Sequence, residues 1–84
     1  MKQIEWKNKA LRQLRKIKSK QDRDDISEAV GKLALFPDCD NIKYIVNSDS
    51  LYRLRVKNWR VIFSDRLEII TIEEVKRRNE RTYR

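Results

Sequence analysis

The sequence predicts an α+β fold in which two helices pack on one face of a small antiparallel sheet. In the first half of the chain apolar residues recur at spacings of three and four, which is typical of amphipathic helices. From residue 41 onward apolar and polar residues alternate, which is typical of half-buried strands. The order is one strand, two helices and then about four strands, and such segregated runs favour an α+β arrangement.

The first half begins with a weakly alternating segment, KQIEW at residues 2–6, which could form the first strand. Helical spacing over residues 7–17 predicts the first helix. Ser19, with Asp22 three residues later, resembles a capping box and predicts the start of the second helix. That helix should end near Phe36, because the proline that follows disfavours helical geometry in the residue before it. These patterns predict a helical hairpin with two apolar stripes.

The second half opens with the β-like segment NIKYIV at residues 41–46, followed by the turn signal NSDS at residues 47–50. Farther along the chain, Asp65-Arg66 offers another turn. The β-branched segment LEIITI at residues 67–72 then predicts the last strand.

Between these segments lies LYRLRVKNWRVIF, residues 51–63, which predicts a tight β-hairpin with its turn at Lys57-Asn58. Asparagine tolerates left-handed geometry, so a two-residue turn is plausible there. Arg55 then faces Arg60 across the two strands, and Arg53 projects from the same face. The opposite face, which should lie on the helices, receives Tyr52, Leu54, Val56, Trp59, Val61 and Phe63.

Three guanidiniums on one face of a hairpin raise an energetic question. Like charges directly opposite each other on a sheet are destabilising, by up to roughly 1 kcal/mol. Arg53, Arg55 and Arg60 make sense together if an anion binds there, and the planar fork of arginine suits phosphate. The alternative is that they are solvent-facing residues that prevent strand pairing between molecules.

Composition restricts the classes of function. The 84 residues suffice for one small domain, residues 1–84, and the net charge of +8 favours a polyanionic partner: nucleic acid, an acidic protein or an anionic membrane. One cysteine and no histidine exclude an internal disulfide, a zinc site of the usual type and a histidine base. We find no membrane span or signal peptide and expect a cytoplasmic location.

The hairpin, the apolar strand after it and the basic tail RRNERTY together resemble the RelE/ParE superfamily of bacterial toxins from type II toxin–antitoxin modules. The resemblance covers nearly the whole chain and implies a β-α-α-β-β-β order. It also implies a cognate antitoxin that wraps the toxin and blocks its basic face. The RelE branch cleaves messenger RNA in the ribosomal A site. The ParE branch poisons DNA gyrase and lacks most of the nuclease residues.

The resemblance also implies a set of catalytic residues. By position these are Arg53, Arg55, Arg60, either Arg77 or Arg78, and Tyr83. Chemistry suggests that Arg55 and Arg60 clamp the scissile phosphate, that the other arginines hold neighbouring phosphates or add to the clamp, and that Tyr83 exchanges a proton or stacks on a base. Strand lysines of the RelE pattern are arginines here, and arginine deprotonates too reluctantly to act as a base.

The sequence therefore predicts a metal-independent, cofactor-free endoribonuclease that cleaves messenger RNA on the ribosome. Its predicted partners are an antitoxin, the A site of the small ribosomal subunit and messenger RNA, without a membrane. One rival is a ParE-like gyrase inhibitor without nuclease activity, and another is a non-enzymatic nucleic-acid-binding module. Basic residues 7–20 suit non-specific docking on ribosomal RNA.

Overall fold

Four consecutive antiparallel strands form the second half of the chain in the computed structural model, which describes residues 1–77. The elements in chain order are β1 Gln3–Trp6, α1 Asn8–Arg15, α2 Lys20–Gly31, β2 Ile42–Tyr44, β3 Leu51–Val56, β4 Trp59–Arg66 and β5 Ile69–Arg77. A short 3-10 helix, Lys32–Leu35, continues α2 as far as Phe36. The predicted α+β class and the order of its elements are confirmed.

The sheet has the order β1-β5-β4-β3-β2 and differs from the antiparallel expectation in one strand. β1 runs parallel to β5, with Gln3 opposite Ile69 and Trp6 opposite Ile72. A parallel pair needs a long connection between its strands, and the helical hairpin supplies the first part of it. Residue spacing identifies a strand but not its partner, so the sequence alone could not show this pairing.

Two-residue turns join β3 to β4 and β4 to β5. The first lies at Lys57-Asn58 as predicted, but Lys57 rather than asparagine has left-handed geometry, with φ of 53°. The second lies at Leu67-Glu68, two residues later than the predicted Asp65-Arg66, because β4 continues to Arg66 and pairs it with Ile69. Within the strand, Asp65 pairs with Ile70, and its carboxylate lies 2.8 Å from the ammonium of Lys2. Turn propensity does not reveal either long-range contact.

The core lies between the helices and one face of the sheet. Its buried residues are Ala10, Ile17, Ile26, Val30, Leu33, Phe36, Leu54, Val56, Val61, Phe63, Ile70, Ile72 and Val75. Of the six hairpin residues predicted to face the helices, Tyr52 and Trp59 are half-buried against this core and the other four are buried. The capping prediction is also confirmed, since the Asp22 amide donates to the Ser19 hydroxyl at 3.1 Å.

The helix α1 takes the place of β1 along the far half of β5. β1 pairs with β5 only up to Ile72. Beyond that residue the amide of Val75 donates to the side-chain carbonyl of Gln13 at 2.7 Å. This contact satisfies a strand amide that β1 does not reach.

Charged contacts fasten the start of α2 to the β3–β4 turn. The ammonium of Lys57 lies 2.5 Å from Asp25 and 3.7 Å from Asp22, and the indole of Trp59 donates to Asp22 at 3.0 Å. The hydrogen bond from Lys57, followed by one from Gln21, lowers the pKa of Asp25 below its ordinary 3.8. The same bond to Asp25 raises the pKa of Lys57. Both groups therefore remain charged across the physiological range.

Replacing Asp25 with asparagine is expected to lower the melting temperature slightly at pH 7, because it removes the charge that Lys57 contacts. The depressed carboxyl pKa stabilises the fold above the unfolded-state pKa and loses that effect as the pH falls through the folded-state pKa. The difference between the two proteins should therefore shrink below about pH 4. Melting curves between pH 2 and 7 test this, and a difference that stays constant over that range would contradict it.

Candidate nucleic-acid interface

The register of the β3–β4 hairpin brings the predicted arginines together. Arg55 lies directly opposite Arg60, and Arg53 is opposite Ile62. These side chains leave the sheet on the side away from the helices, because their neighbours Leu54, Val56 and Val61 are buried on the other side. The predicted pairing of Arg55 with Arg60 is confirmed.

Two lysines on neighbouring strands extend this group. Lys43 of β2 lies opposite Arg53, and Lys76 of β5 lies opposite Arg60. We call the surface formed by Lys43, Arg53, Arg55, Arg60 and Lys76 the cationic face. Its longest row runs across three adjacent strands, from Arg55 through Arg60 to Lys76, over about 10 Å.

Sequence reasoning missed Lys76 because of a β-bulge. Phe63 pairs with Ile72, but the preceding residue, Ile62, pairs with Glu74, so β5 has one extra residue, Glu73. Strict alternation from buried Ile72 would send Lys76 to the core side. The bulge reverses the phase and puts Lys76 on the cationic face. Lys43 could have been found only from the register between β2 and β3.

Within residues 1–77, no carboxylate neutralises the arginines of the cationic face. No ion pair formed among these residues includes Arg53, Arg55 or Arg60. Glu74 is the acidic neighbour of the row, and it lies 3.7 Å from Lys76 and 3.5 Å from Lys9. The three guanidiniums therefore lie close together, and no carboxylate of residues 1–77 occupies them. Such a cluster of positive charge favours binding of an anion.

A groove of about 220 Å³ opens beside two of these arginines. Its lining consists of Asn41, Ile42, Lys43, Arg53 and Arg55. Arg55 is exposed and Arg53 is half-buried, so a group in the groove would contact both guanidiniums while staying open to solvent. The donors of arginine and lysine that line it can bind a phosphate but offer no acid–base pair.

Arg77, the one further predicted site residue among residues 1–77, does not join this cluster. Arg77 pairs with Trp59 across β4 and β5, which puts it on the helix side of the sheet, opposite to the cationic face. Its guanidinium lies 5.0 Å from the centre of the Trp59 ring. Arg78 and Tyr83 lie outside the described residues.

Other chemistry in the described part of the chain is sparse. Residues 1–77 contain no cluster of three metal-ligating side chains. Burial, followed by the nearby charges of Asp38 and Asp40, raises the pKa of the Cys39 thiol, which disfavours the reactive thiolate. Neither α1 nor α2 has the length and apolar content needed to cross a lipid bilayer. The cationic face is therefore the leading candidate site among these residues.

Comparison with known proteins gives a family and a fold. Residues 4–82 match the model of the ParE toxins of type II toxin–antitoxin systems, parDE. No curated protein matches the chain significantly.

Solved structures with the same fold include the isolated RelE toxin of E. coli, with a TM-score of 0.79, 12% identity and coverage of 95% of this chain and 87% of that one. The toxin–antitoxin complex RelBE2 of Mycobacterium tuberculosis matches with a TM-score of 0.79, 17% identity and coverage of 92% and 98%. The RelB–RelE antitoxin–toxin complex of Methanococcus jannaschii matches with a TM-score of 0.74, 20% identity and coverage of 88% and 89%.

Proposed function

We propose that this chain, which belongs to the family of ParE toxins of type II toxin–antitoxin systems, is a ribosome-dependent endonuclease. It cleaves messenger RNA in the ribosomal A site and thereby inhibits translation. One observation carries the proposal: Arg55 and Arg60 lie opposite each other on the sheet without a carboxylate partner among residues 1–77. A phosphate between them would turn an unfavourable pair into a clamp.

The reaction that suits this face is attack of a ribose 2′-hydroxyl on the adjacent phosphate. Negative charge builds up on the phosphate oxygens as the 2′ oxygen bonds to phosphorus and the 5′ oxygen leaves. Guanidiniums fixed on a rigid sheet stabilise that charge without rearranging, and such preorganised donors are a large source of rate enhancement. Arg55 and Arg60 hold the scissile phosphate, and Arg53, Lys43 and Lys76 contact its neighbours.

Proton transfer in this reaction needs a group other than the strand arginines. Arginine keeps its proton, so Arg53 and Arg55 do not replace the lysine base of the RelE pattern. Tyr83 or ribosomal RNA supplies that proton transfer, or the rate depends mainly on orientation of the substrate and on electrostatic stabilisation. Tyr83 is also suited to stack on a base of the message.

A cognate antitoxin is the second proposed partner. Similar structures include complexes of RelE with RelB from an archaeon and from E. coli, described as antitoxin–toxin complexes. An antitoxin of this chain would cover the cationic face with carboxylates and so block access of RNA. Such masking keeps the toxin inactive in the cytoplasm until the antitoxin is removed.

Inhibition of DNA gyrase is the second candidate function. The matching family is described as ParE toxins, and the ParE branch acts on gyrase rather than on RNA. Arginines in place of the strand lysines, together with the position of Arg77 on the helix side of the sheet, also favour it. In that case the cationic face would bind a protein surface or DNA and perform no chemistry.

Primer extension separates the two functions. The purified protein is incubated with ribosomes programmed with a defined transcript, and the transcript ends are mapped. The proposal predicts cuts within the codon in the A site. An intact transcript, combined with loss of gyrase supercoiling activity in a parallel assay, would overturn it in favour of the gyrase inhibitor.

A further inference from the structure

A second basic pocket lies on the helix side of the sheet, behind the cationic face. Its volume is about 350 Å³, and it is bounded by the loop between α1 and α2 and by the ends of β4 and β5. The lining residues are Lys16, Ile17, Lys18, Ser19, Asp22, Trp59 and Arg77. The clamp of Arg55 and Arg60 does not involve this pocket.

Arg77 lies over an aromatic ring in this pocket. Its guanidinium is 5.0 Å from the centre of the Trp59 ring, and the indole of Trp59 in turn donates to Asp22 at 3.0 Å. A cation–π contact with the ring does not use the N–H groups of the guanidinium, which stay available as donors. Arg77 can therefore keep its contact with Trp59 while it binds a phosphate through two parallel hydrogen bonds.

The charges around the pocket favour an anion. Lys16 and Lys18 are exposed, and neither they nor Arg77 form an ion pair with any residue of the described chain. Asp22 is the acidic residue of the lining, and it is engaged by Trp59 and, at 3.7 Å, by Lys57. The pocket therefore presents three cations that form no ion pair within residues 1–77, against one carboxylate that has partners of its own.

Residues of the pocket and of the cationic face are adjacent in the chain. Lys76, at the end of the cationic row, directly precedes Arg77, and Arg60 directly follows Trp59. Successive residues of a strand point to opposite faces of the sheet. The two sets of cations therefore leave opposite faces of the sheet at the same end of β4 and β5, from residues that are adjacent in the chain.

We propose that Arg77, Lys16 and Lys18 form a second phosphate-binding site, which holds the backbone of the single-stranded RNA beyond the cleavage point as the strand passes around the end of the sheet. The proposal rests on the proposed function in taking RNA as the ligand. It assigns Arg77 to binding of the flanking strand rather than to the reacting phosphate. Free RNA binding, which requires neither ribosomes nor cleavage, tests it separately from the nuclease activity.

The test measures binding of a fluorescent single-stranded RNA whose 2′ positions are all methylated, so that it cannot be cleaved. Full-length wild-type protein is compared with the Arg77→Gln and Lys18→Ala variants over a range of salt concentrations. Each lost phosphate contact should flatten the slope of log K against log salt by about 0.7 and weaken binding about fivefold at 0.1 M salt. Lys18 is exposed, so its variant should remain folded even if Arg77→Gln does not.

Arg66→Gln is the matched control, because Arg66 lies at the opposite end of β4 and its removal also lowers the charge by one. It should change the salt slope far less than Arg77→Gln does. Equal salt slopes for all three variants would overturn the second site. The same conclusion would follow if the wild-type protein did not bind the RNA, or if Arg77→Gln and Lys18→Ala weakened only antitoxin binding. If the same protein then cleaved messenger RNA in the A site, the proposed function would still hold. RNA binding that depends on the pocket, without any cleavage, would support the second site and contradict the nuclease activity.

Discussion

Replacing Arg60 with alanine is expected to lower A-site cleavage by about a hundredfold to a thousandfold, the usual cost of removing one preorganised charge-stabilising group. Arg60 lies at the centre of the cationic row, with Arg55 on one side and Lys76 on the other. Without it, the phosphate loses the donor that approaches from β4. Single-turnover cleavage on programmed ribosomes measures the effect, and loss of growth arrest should accompany it in cells.

Arg66→Ala is the control for this experiment, since it removes an arginine from the same strand at an exposed position away from the cationic row. Its cleavage rate should stay close to that of the wild type. An Arg60→Lys variant should recover part of the activity, because it restores the charge without the planar fork. Full activity of Arg60→Ala in a folded protein would contradict the assignment of the site.

Phe63→Ala is expected to have the largest effect on stability. Phe63 is completely buried, and its ring lies 5.4 Å from that of Phe36 and 5.5 Å from that of Tyr52. Removing a buried phenyl ring typically costs about 3–5 kcal/mol. Small domains have about 5–15 kcal/mol in total, so the variant should lose a large share of its free energy of unfolding. Urea unfolding followed by circular dichroism measures this loss.

Leu67→Ala provides the comparison, because Leu67 lies in the turn that follows β4 and is 90% exposed. Its free energy of unfolding should differ from that of the wild type by less than about 0.5 kcal/mol. A small effect of Phe63→Ala would mean that the aromatic group around Phe63 does not form the centre of the core.

The hairpin could be predicted from the sequence because its determinants are local. Alternation fixes which residues share a face, and a two-residue turn fixes which residues are opposite each other. Together they place Arg55 beside Arg60 and bury Leu54 and Val61. The second helix could be predicted for the same reason, since Ser19 caps it through a contact only three residues away.

The rest could not be predicted because it depends on contacts between distant parts of the chain. The pairing of β1 with β5 and the contact of Gln13 with Val75 join residues more than sixty positions apart. The bulge that turns Lys76 toward the cationic face is an insertion that alternation does not reveal. Arg77 resembles a member of the catalytic set in sequence, yet the register puts it on the side of Trp59.

The proposed function depends on one physical property of the sheet: its guanidiniums repel one another until an anion neutralises them. The most direct test is the free energy of unfolding of the free Arg60→Gln protein in low salt. We expect this variant to be more stable than the wild type by up to about 1 kcal/mol. The gain should shrink at 1 M salt, because salt screens the repulsion. A variant that is less stable than the wild type would show that Arg60 supports the fold, and would contradict the claim.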